Sequence, residues 1–474
     1  MTRFPVSRTR SQGRLLMVGL LALWACTDNA SPSAPLATQP ASAARNGARP
    51  AAGGGPTVKS TAPDSGTVDS TLSVHVFGSG FDVGSRAQWA LKGVPSSKVV
   101  TNSTQFVSST ELIANISIAP DATLASYDVM VTTSSGKGGI GTELFVITAK
   151  TTALPTLGGT ATANAINDGG TIAGASTDAA NSLSAVKWTM QNGSWTVTPL
   201  PGGLSGNALG INASGDIVGT NNTALPHRGV RWPASGGPAV VLSCASDVGS
   251  DVAEAINSGG TIVGNRQEAS GTLQTPVGWL PGQCRQDLAP LVAGQSATPY
   301  SIDDAGNAVG YAYDATPTGS VPHTEWAVRW AFNGTSWDPP EKLMNGEWGG
   351  AQATNARGDI VGGTWLCPPP GCANHAMLWP SPGTLVRTDL GTLGGTMGFA
   401  NAINSANQVV GLSYTTRNRN IFAFIWSAAT GMRALAPLRG DNRSEAYGVS
   451  GGGLVIGFSM GNTGGRTAVV WRAP

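Results

Sequence analysis

At 474 residues the chain has room for several domains. Only 12% of it is charged and the formal net charge is +1, which excludes the basic footprint of a nucleic-acid-binding protein. Residues 1–14 carry Arg3, Arg8, Arg10 and Arg14 with no acid. Residues 15–25 are an apolar run, too short to span a bilayer and suited to the core of a signal peptide. Removing 1–25 removes those four positive charges and takes the formal net charge from +1 to −3.

The run ends in Leu23-Trp24-Ala25-Cys26, which resembles a bacterial lipobox: a small residue before a cysteine, with leucine three positions upstream. The resemblance implies lipidation of Cys26, and two acyl chains or more hold a protein at a membrane durably. An ordinary signal peptide followed by a chance cysteine is the alternative. Thr27 rather than Asp follows the cysteine, which in a two-membrane bacterium implies sorting to the outer membrane. The expectation is an exported protein that meets the membrane through its anchor only. Residues 26–55, rich in Ala, Ser, Pro and Gly without periodicity, read as a flexible linker.

Residues 56–149 form a separate β module. Pro63-Asp64-Ser65-Gly66 is a turn, and Leu72 to Val76 and Tyr127 to Thr132 alternate as strands. Several short strands in about ninety residues read as a β-sandwich. The Pro-x-x-Gly opening, Gly78-Ser79-Gly80-Phe81 and Tyr127-Asp128-Val129-Met130-Val131-Thr132 resemble the immunoglobulin-like IPT/TIG domain, which implies a spacer or adhesion role.

From residue 150 onward an Ile-Asn-x-x-Gly-x-Ile-Val-Gly motif returns seven times, at 166–174, 211–219, 256–264 and 302–310, then in degenerate form at 354–362, 403–411 and 449–457. Its closing glycines lie 45 to 52 residues apart, and each is followed 13 to 20 residues later by a tryptophan: Trp188, Trp232, Trp279, Trp330, Trp379, Trp426 and Trp471. A period of this size signals a repeat architecture. In the sixth copy Ala400 to Asn404, Gln408 to Gly411, Phe422 to Trp426 and Arg433 to Leu435 read as four short strands, which describes a propeller blade. The seventh copy stops after its third strand, while Leu154 to Thr160 repeats the pattern of Leu390 to Thr396 ahead of the first. The displaced strand, placed at 153–157, would complete the last blade and leave no open edge. The expected fold is therefore all-β, a seven-bladed β-propeller over 150–474 preceded by a small immunoglobulin-like β-sandwich. An open β-solenoid is the rival.

The Leu-Gly-Thr-Leu-Gly-Gly…Ala-Ile-Asn…Val-Val-Gly…Ala-Phe-x-Trp pattern of the sixth copy is similar to the bacterial extracellular HAF-type repeat. That likeness implies export without a defined activity.

Several motifs invite over-reading. Gly136 to Gly141 fits G-x-G-x-x-G, but the phosphate-binding form opens a helix, and here it joins two strands. Gly457 to Gly461 fits G-x-S-x-G, yet Gly457 is simply the closing glycine of the seventh repeat. The Asn or Asp ending most first strands (Asn167, Asn212, Asn257, Asp303, Asn355, Asn404) bonds its own turn backbone, so no metal is expected there. His227, His323 and His375 fall in or near the connections between the second and third strands of blades 2, 4 and 5, so a three-histidine metal site would need long loops to converge. Besides Cys26 four cysteines remain, and an even number in an exported protein points to disulfides. Cys367 and Cys372 close a short loop, and Cys244 and Cys284 fall near the outer strands of neighbouring blades 2 and 3. Zinc at Cys367 and Cys372 is the weaker alternative, and no cofactor is expected.

Two functions remain open. A non-catalytic module would bind a polysaccharide or an envelope or extracellular protein. A propeller hydrolase or lyase acting on extracellular glycans is the alternative, since fold alone decides nothing. Catalysis needs acids or histidines converging on the axis. The first strands offer Glu254 and Glu445, in blades that are not neighbours. For binding, Tyr313, Trp365 and Tyr414 stand three residues past the closing glycines of blades 4, 5 and 6, with Tyr311, Trp326 and His323 close by in sequence. Such an aromatic band suits stacking on sugar rings, or else only extends the packing between blades.

Overall fold

The computed structural model describes residues 54–223, 225–244, 248–267, 273–314, 325–344, 348–366, 373–381, 386–462 and 464–472. Cys26, the leader and nearly all of the linker lie outside these residues, as do His323, Cys367 and Cys372. The described chain is all-β, relieved only by a 3-10 turn at Thr416–Asn418. It divides into two compact units between Thr148 and Ala149.

The first unit holds two sheets. One runs Thr57–Ala62, Ser70–Ser79, Glu111–Ile118, Val99–Ser108; the other runs Ser65–Thr67, Gly138–Thr148, Ser126–Thr132, Arg86–Leu91, Val94–Pro95. Burial alternates strictly along Glu111–Ile118, the signature of a strand with one face on a core. Leu112, Ala114 and Ile116 are buried on one sheet, and Trp89, Val129, Phe145 and Ile147 on the other. The G-x-G-x-x-G stretch spans a turn and the start of Gly138–Thr148, with no helix after it.

In the second unit each repeat begins with two long antiparallel strands and continues to a third. In repeats 1 to 6 a fourth strand follows at the sheet edge, of only two residues in repeats 2 to 5. Repeat 1, for example, runs Gly158–Ile166, Ile172–Asp178, Leu183–Gln191, Ser194–Leu204. Single parallel pairs, Asn374 with Met397 and Ile421 with Arg443, link the sheets of repeats 5, 6 and 7. The strand expected at 153–157 forms earlier, at Lys150–Ala153, and pairs antiparallel with Arg472 to Val469 of repeat 7. The ladder ends with the Leu154 N–H donating to Ala468 O at 2.8 Å, one residue before Pro155. The Pro155 carbonyl accepts from the Trp188 indole at 2.7 Å.

Neighbouring repeats share their cores. Ala173 and Ala185 of repeat 1 pack with Ala208, Ile217 and Trp232 of repeat 2. Val218 packs with Ile262 and Trp279 across the next junction. Ala161, Ile172 and Trp188 of repeat 1 also cluster with Ile456, Ala468 and Val470 of repeat 7. With both faces of most sheets covered, paired apolar residues such as Ile217-Val218 are buried together. The repeat tryptophans are buried except Trp426, which is partly buried, and several satisfy their indole N–H on a carbonyl of the preceding repeat. Trp232 bonds Pro201 at 3.1 Å, Trp330 bonds Ala289 at 2.7 Å and Trp471 bonds Ala436 at 2.7 Å.

The turn asparagines act twice. Asn212 Oδ1 accepts the backbone N–H of Asp216 at 2.9 Å, closing its own turn, while its Nδ2 donates to Asn257 O of the next repeat at 3.1 Å. The same step joins Asn167 to Asn212 O, Asn257 to Asp303 O, Asn355 to Asn404 O and Asn404 to Ser450 O. Asp303 has no N–H to donate; there Ser301 Oγ accepts from Thr354 N at 3.2 Å. Between repeats 7 and 1 the Gly451 N–H donates to the Asp168 carboxylate.

Candidate functional site

The first two strands of every repeat slip register at one common place, and those of repeats 1 and 6 at a second as well. In repeat 1 Ala163 opposes Gly174 and Ala165 opposes Ala173, leaving Asn164 unmatched. The residues skipped in the other six repeats are Leu209, Glu254, Tyr300, Gln352, Asn401 and Tyr447. Each is a bulge, the device that redirects one side chain out of a regular ladder. The closing glycine of the motif belongs to the same device. A Cβ on Gly219 would lie 1.9 Å from Asn207 O, and on Gly411 1.9 Å from Phe399 O, with 1.9–2.0 Å at the other five. The bulged strand can approach that closely only where its partner has no side chain.

The bulged position is therefore a place on the first strand where a recurrent frame carries a changing, mostly polar side chain. In repeats 1 and 6 it is used for joining. Asn164 Nδ2 donates to Ala208 O at 2.8 Å and Asn401 Nδ2 to Ala446 O at 2.9 Å, each in the next repeat. In repeat 7 Tyr447 OH donates to Glu445 Oε2 at 3.1 Å, and Glu445 is also paired with Arg443. That ion pair and hydrogen bond give Glu445 a structural role.

Repeats 3 and 4 differ. Tyr300, the bulged residue, lies 5.5 Å from Tyr311, centroid to centroid, and Tyr311 lies 5.3 Å from Tyr313 in an edge-to-face contact. Tyr311 OH donates to Gln274 Oε1 at 3.0 Å, and Tyr313 OH to Glu325 Oε2 at 3.3 Å. Glu254, with only 1% of its surface exposed, accepts from Asn265 Nδ2 at 3.4 Å. Tyr300, Tyr313 and Glu325 keep part of their surface in solvent. The phenol of Tyr300 is pushed well above the ordinary tyrosine value, first by desolvation and then by Tyr311, Glu325, Glu254 and Tyr313, so it stays protonated at neutral pH.

The aromatic candidates from the sequence separate into groups. Tyr311 and Tyr313 meet in this nest. Trp326 instead joins the buried core of repeats 3 to 5, donates to Asp314 Oδ2 at 2.6 Å and carries the Lys342 ammonium 3.5 Å over its ring. Trp365 is partly buried and opposes Trp348, which is 42% exposed, across the first two strands of repeat 5. Tyr414 is partly buried at the matching place in repeat 6. No family model matches the chain. No curated protein matches it either. Of the histidines, His375 Nδ1 bonds Asp389 Oδ2 at 2.7 Å, and among the described residues no three metal-ligating side chains converge. A disulfide joins Cys244 to Cys284. It brackets Asp251, fully buried, which takes the Arg285 guanidinium at 2.5 Å and accepts from Ser243 Oγ at 2.6 Å.

Sequence reading missed Tyr300, Gln274 and Glu325. A usable signal existed for Tyr300. Three residues before the turn Asn, Asp or Ser, the repeats read Asn, Leu, Glu, Tyr, Gln, Asn, Tyr between small residues, mostly alanine. Gln274 and Glu325 open third strands whose offset from the motif varies, but each stands five residues before its repeat tryptophan, Trp279 and Trp330, so the spacing back from the tryptophan was a second usable signal.

Proposed function

We propose that this is an exported, lipid-anchored envelope protein whose repeats close into a seven-bladed β-propeller that binds a polysaccharide without chemically altering it. An immunoglobulin-like spacer would then hold the propeller away from the membrane. Support for closure is the shared core of repeats 1 and 7 together with the strand that Lys150–Ala153 lends to the last repeat. The observation that carries the binding reading is the nest of Tyr300, Tyr311 and Tyr313 with Glu325 and Gln274. It offers ring faces for sugars and fixed polar groups for their hydroxyls.

The test is a screen of the purified chain against envelope polysaccharides, repeated with Tyr313→Ala and Trp365→Ala. The proposal expects a ligand whose binding Tyr313→Ala weakens while the melting temperature holds. Trp365→Ala separates the two readings of the aromatic band: lost binding with an unchanged melt marks a platform, and a loss of about 3–5 kcal/mol in stability marks packing. Turnover of a glycan by the wild-type protein, or no glycan binding at all, would refute the binding reading.

A further inference from the structure

Repeats 4 and 7 are the two in which a tyrosine occupies the bulge, and comparing them narrows the ligand. In repeat 7 Tyr447 lies 5.7 Å from Phe458, the residue after the closing glycine. In repeat 4 Tyr300 lies 5.5 Å from Tyr311 at the same place. Over Phe458 sits the Arg466 guanidinium, 4.6 Å from the ring centroid, so repeat 7 fills its aromatic corner with a cation of its own. Arg466 begins the third strand and opposes Met460. The matching residue in repeat 4, opposing Tyr313, is Glu325. One repeat thus supplies a cation at this point of the frame, and the other supplies a carboxylate.

The remaining groups favour the same sign of ligand. Aromatic faces attract cations through their quadrupole, and the three tyrosines meet at 42° and 67°, forming a corner rather than a flat stack. Glu325 stands at the partly exposed side beside Tyr313. The hydrogen bond from Tyr311 to Gln274 fixes one ring in advance, which lowers the cost of ordering the site on binding.

We infer that the nest of repeats 3 and 4 seats a cationic nitrogen, carried by a saccharide unit with a free amine. The inference rests on the saccharide-binding reading of the same site and adds the charge of the sugar. A sulfated or carboxylated sugar would meet the Glu325 carboxylate and be repelled.

The experiment is calorimetric titration of the full mature chain with β-1,4-linked glucosamine oligomers and with their N-acetylated counterparts. Acetylation removes the charge and keeps the ring. The amine form is expected to bind about tenfold tighter, the size of one partly desolvated cation–π contact. Glu325→Gln, close in shape, should abolish that preference, and so should Glu325→Arg, which copies the resident cation of repeat 7. Equal affinity for the two forms overturns the cationic site and leaves saccharide binding standing if Tyr313→Ala still weakens both. A preference that survives both Glu325 variants also overturns it. Binding of neither form, together with no hit in the wider glycan screen, removes both readings.

Discussion

Glycine and asparagine carry the repeat, each for a separate physical reason. The closing glycine lets the bulged first strand come within van der Waals reach. Gly219→Ala would place a carbon 1.9 Å from a backbone carbonyl that cannot swing aside. A loss of about 3 kcal/mol or more is expected by urea titration. Gly465→Ala, facing open space in the last hairpin, is the control and should change stability by less than about 0.5 kcal/mol. The turn asparagine spans two repeats, so Asn212→Ala removes both its own turn bond and the bond to Asn257 O. Its expected cost is about 1–3 kcal/mol, and Asn212→Asp should recover only the turn, since a carboxylate accepts but does not donate. That the asparagine serves its own turn was legible from residue type and position. That it also reaches the neighbouring repeat was not, because donor and acceptor lie 45 residues apart.

At the scale of single elements, the outer edge between repeats 2 and 3 is held by chemistry. Cys244 and Cys284 clamp two segments that each give Asp251 a partner, Ser243 from one side and Arg285 from the other. Arg228 adds a third contact at 3.6 Å. Cys284→Ser is expected to cost about 2–4 kcal/mol through loss of the cross-link. Asp251→Asn should cost about as much or more, since Arg285, 7% exposed, would lose its 2.5 Å partner and keep only the Asp287 carboxylate at 3.8 Å. Thermal melts of the two variants under oxidising conditions check both, and a double variant losing less than the sum would show that they act as one unit. The even cysteine count suggested disulfides, but which carboxylate the pair encloses depends on how adjacent sheets stack.

Across the whole molecule, the proposed ring depends on the first strand of the second unit. Deleting 150–153 uncovers the edge of Arg466–Arg472, removing the pairing with Val469 to Arg472. Because repeat stability is nearly a sum of nearest-neighbour terms, a ring with an opened seam should melt well below the intact chain and associate through its bare edge. An unchanged melt together with a monomeric elution profile would mean that no ring is sealed there. The tyrosine nest belongs to this scale too, since Gln274 comes from repeat 3 and the tyrosines from repeat 4.

The sequence by itself determined the repeat: its period, four strands to most copies, glycine and asparagine at fixed places, and tryptophans in the interior. These follow from local sterics, turn chemistry and apolar runs, which act over a few residues and therefore leave a mark at fixed spacing. Tertiary structure decided what the repeats do differently. It shifted the lent strand to Lys150–Ala153, set Trp326 apart from Tyr313, and turned Tyr300 and Glu254 out of their ladders toward residues of other strands. A bulge is a mismatch between two strands, so only the pairing of both reveals which side chain it releases and what that side chain then meets.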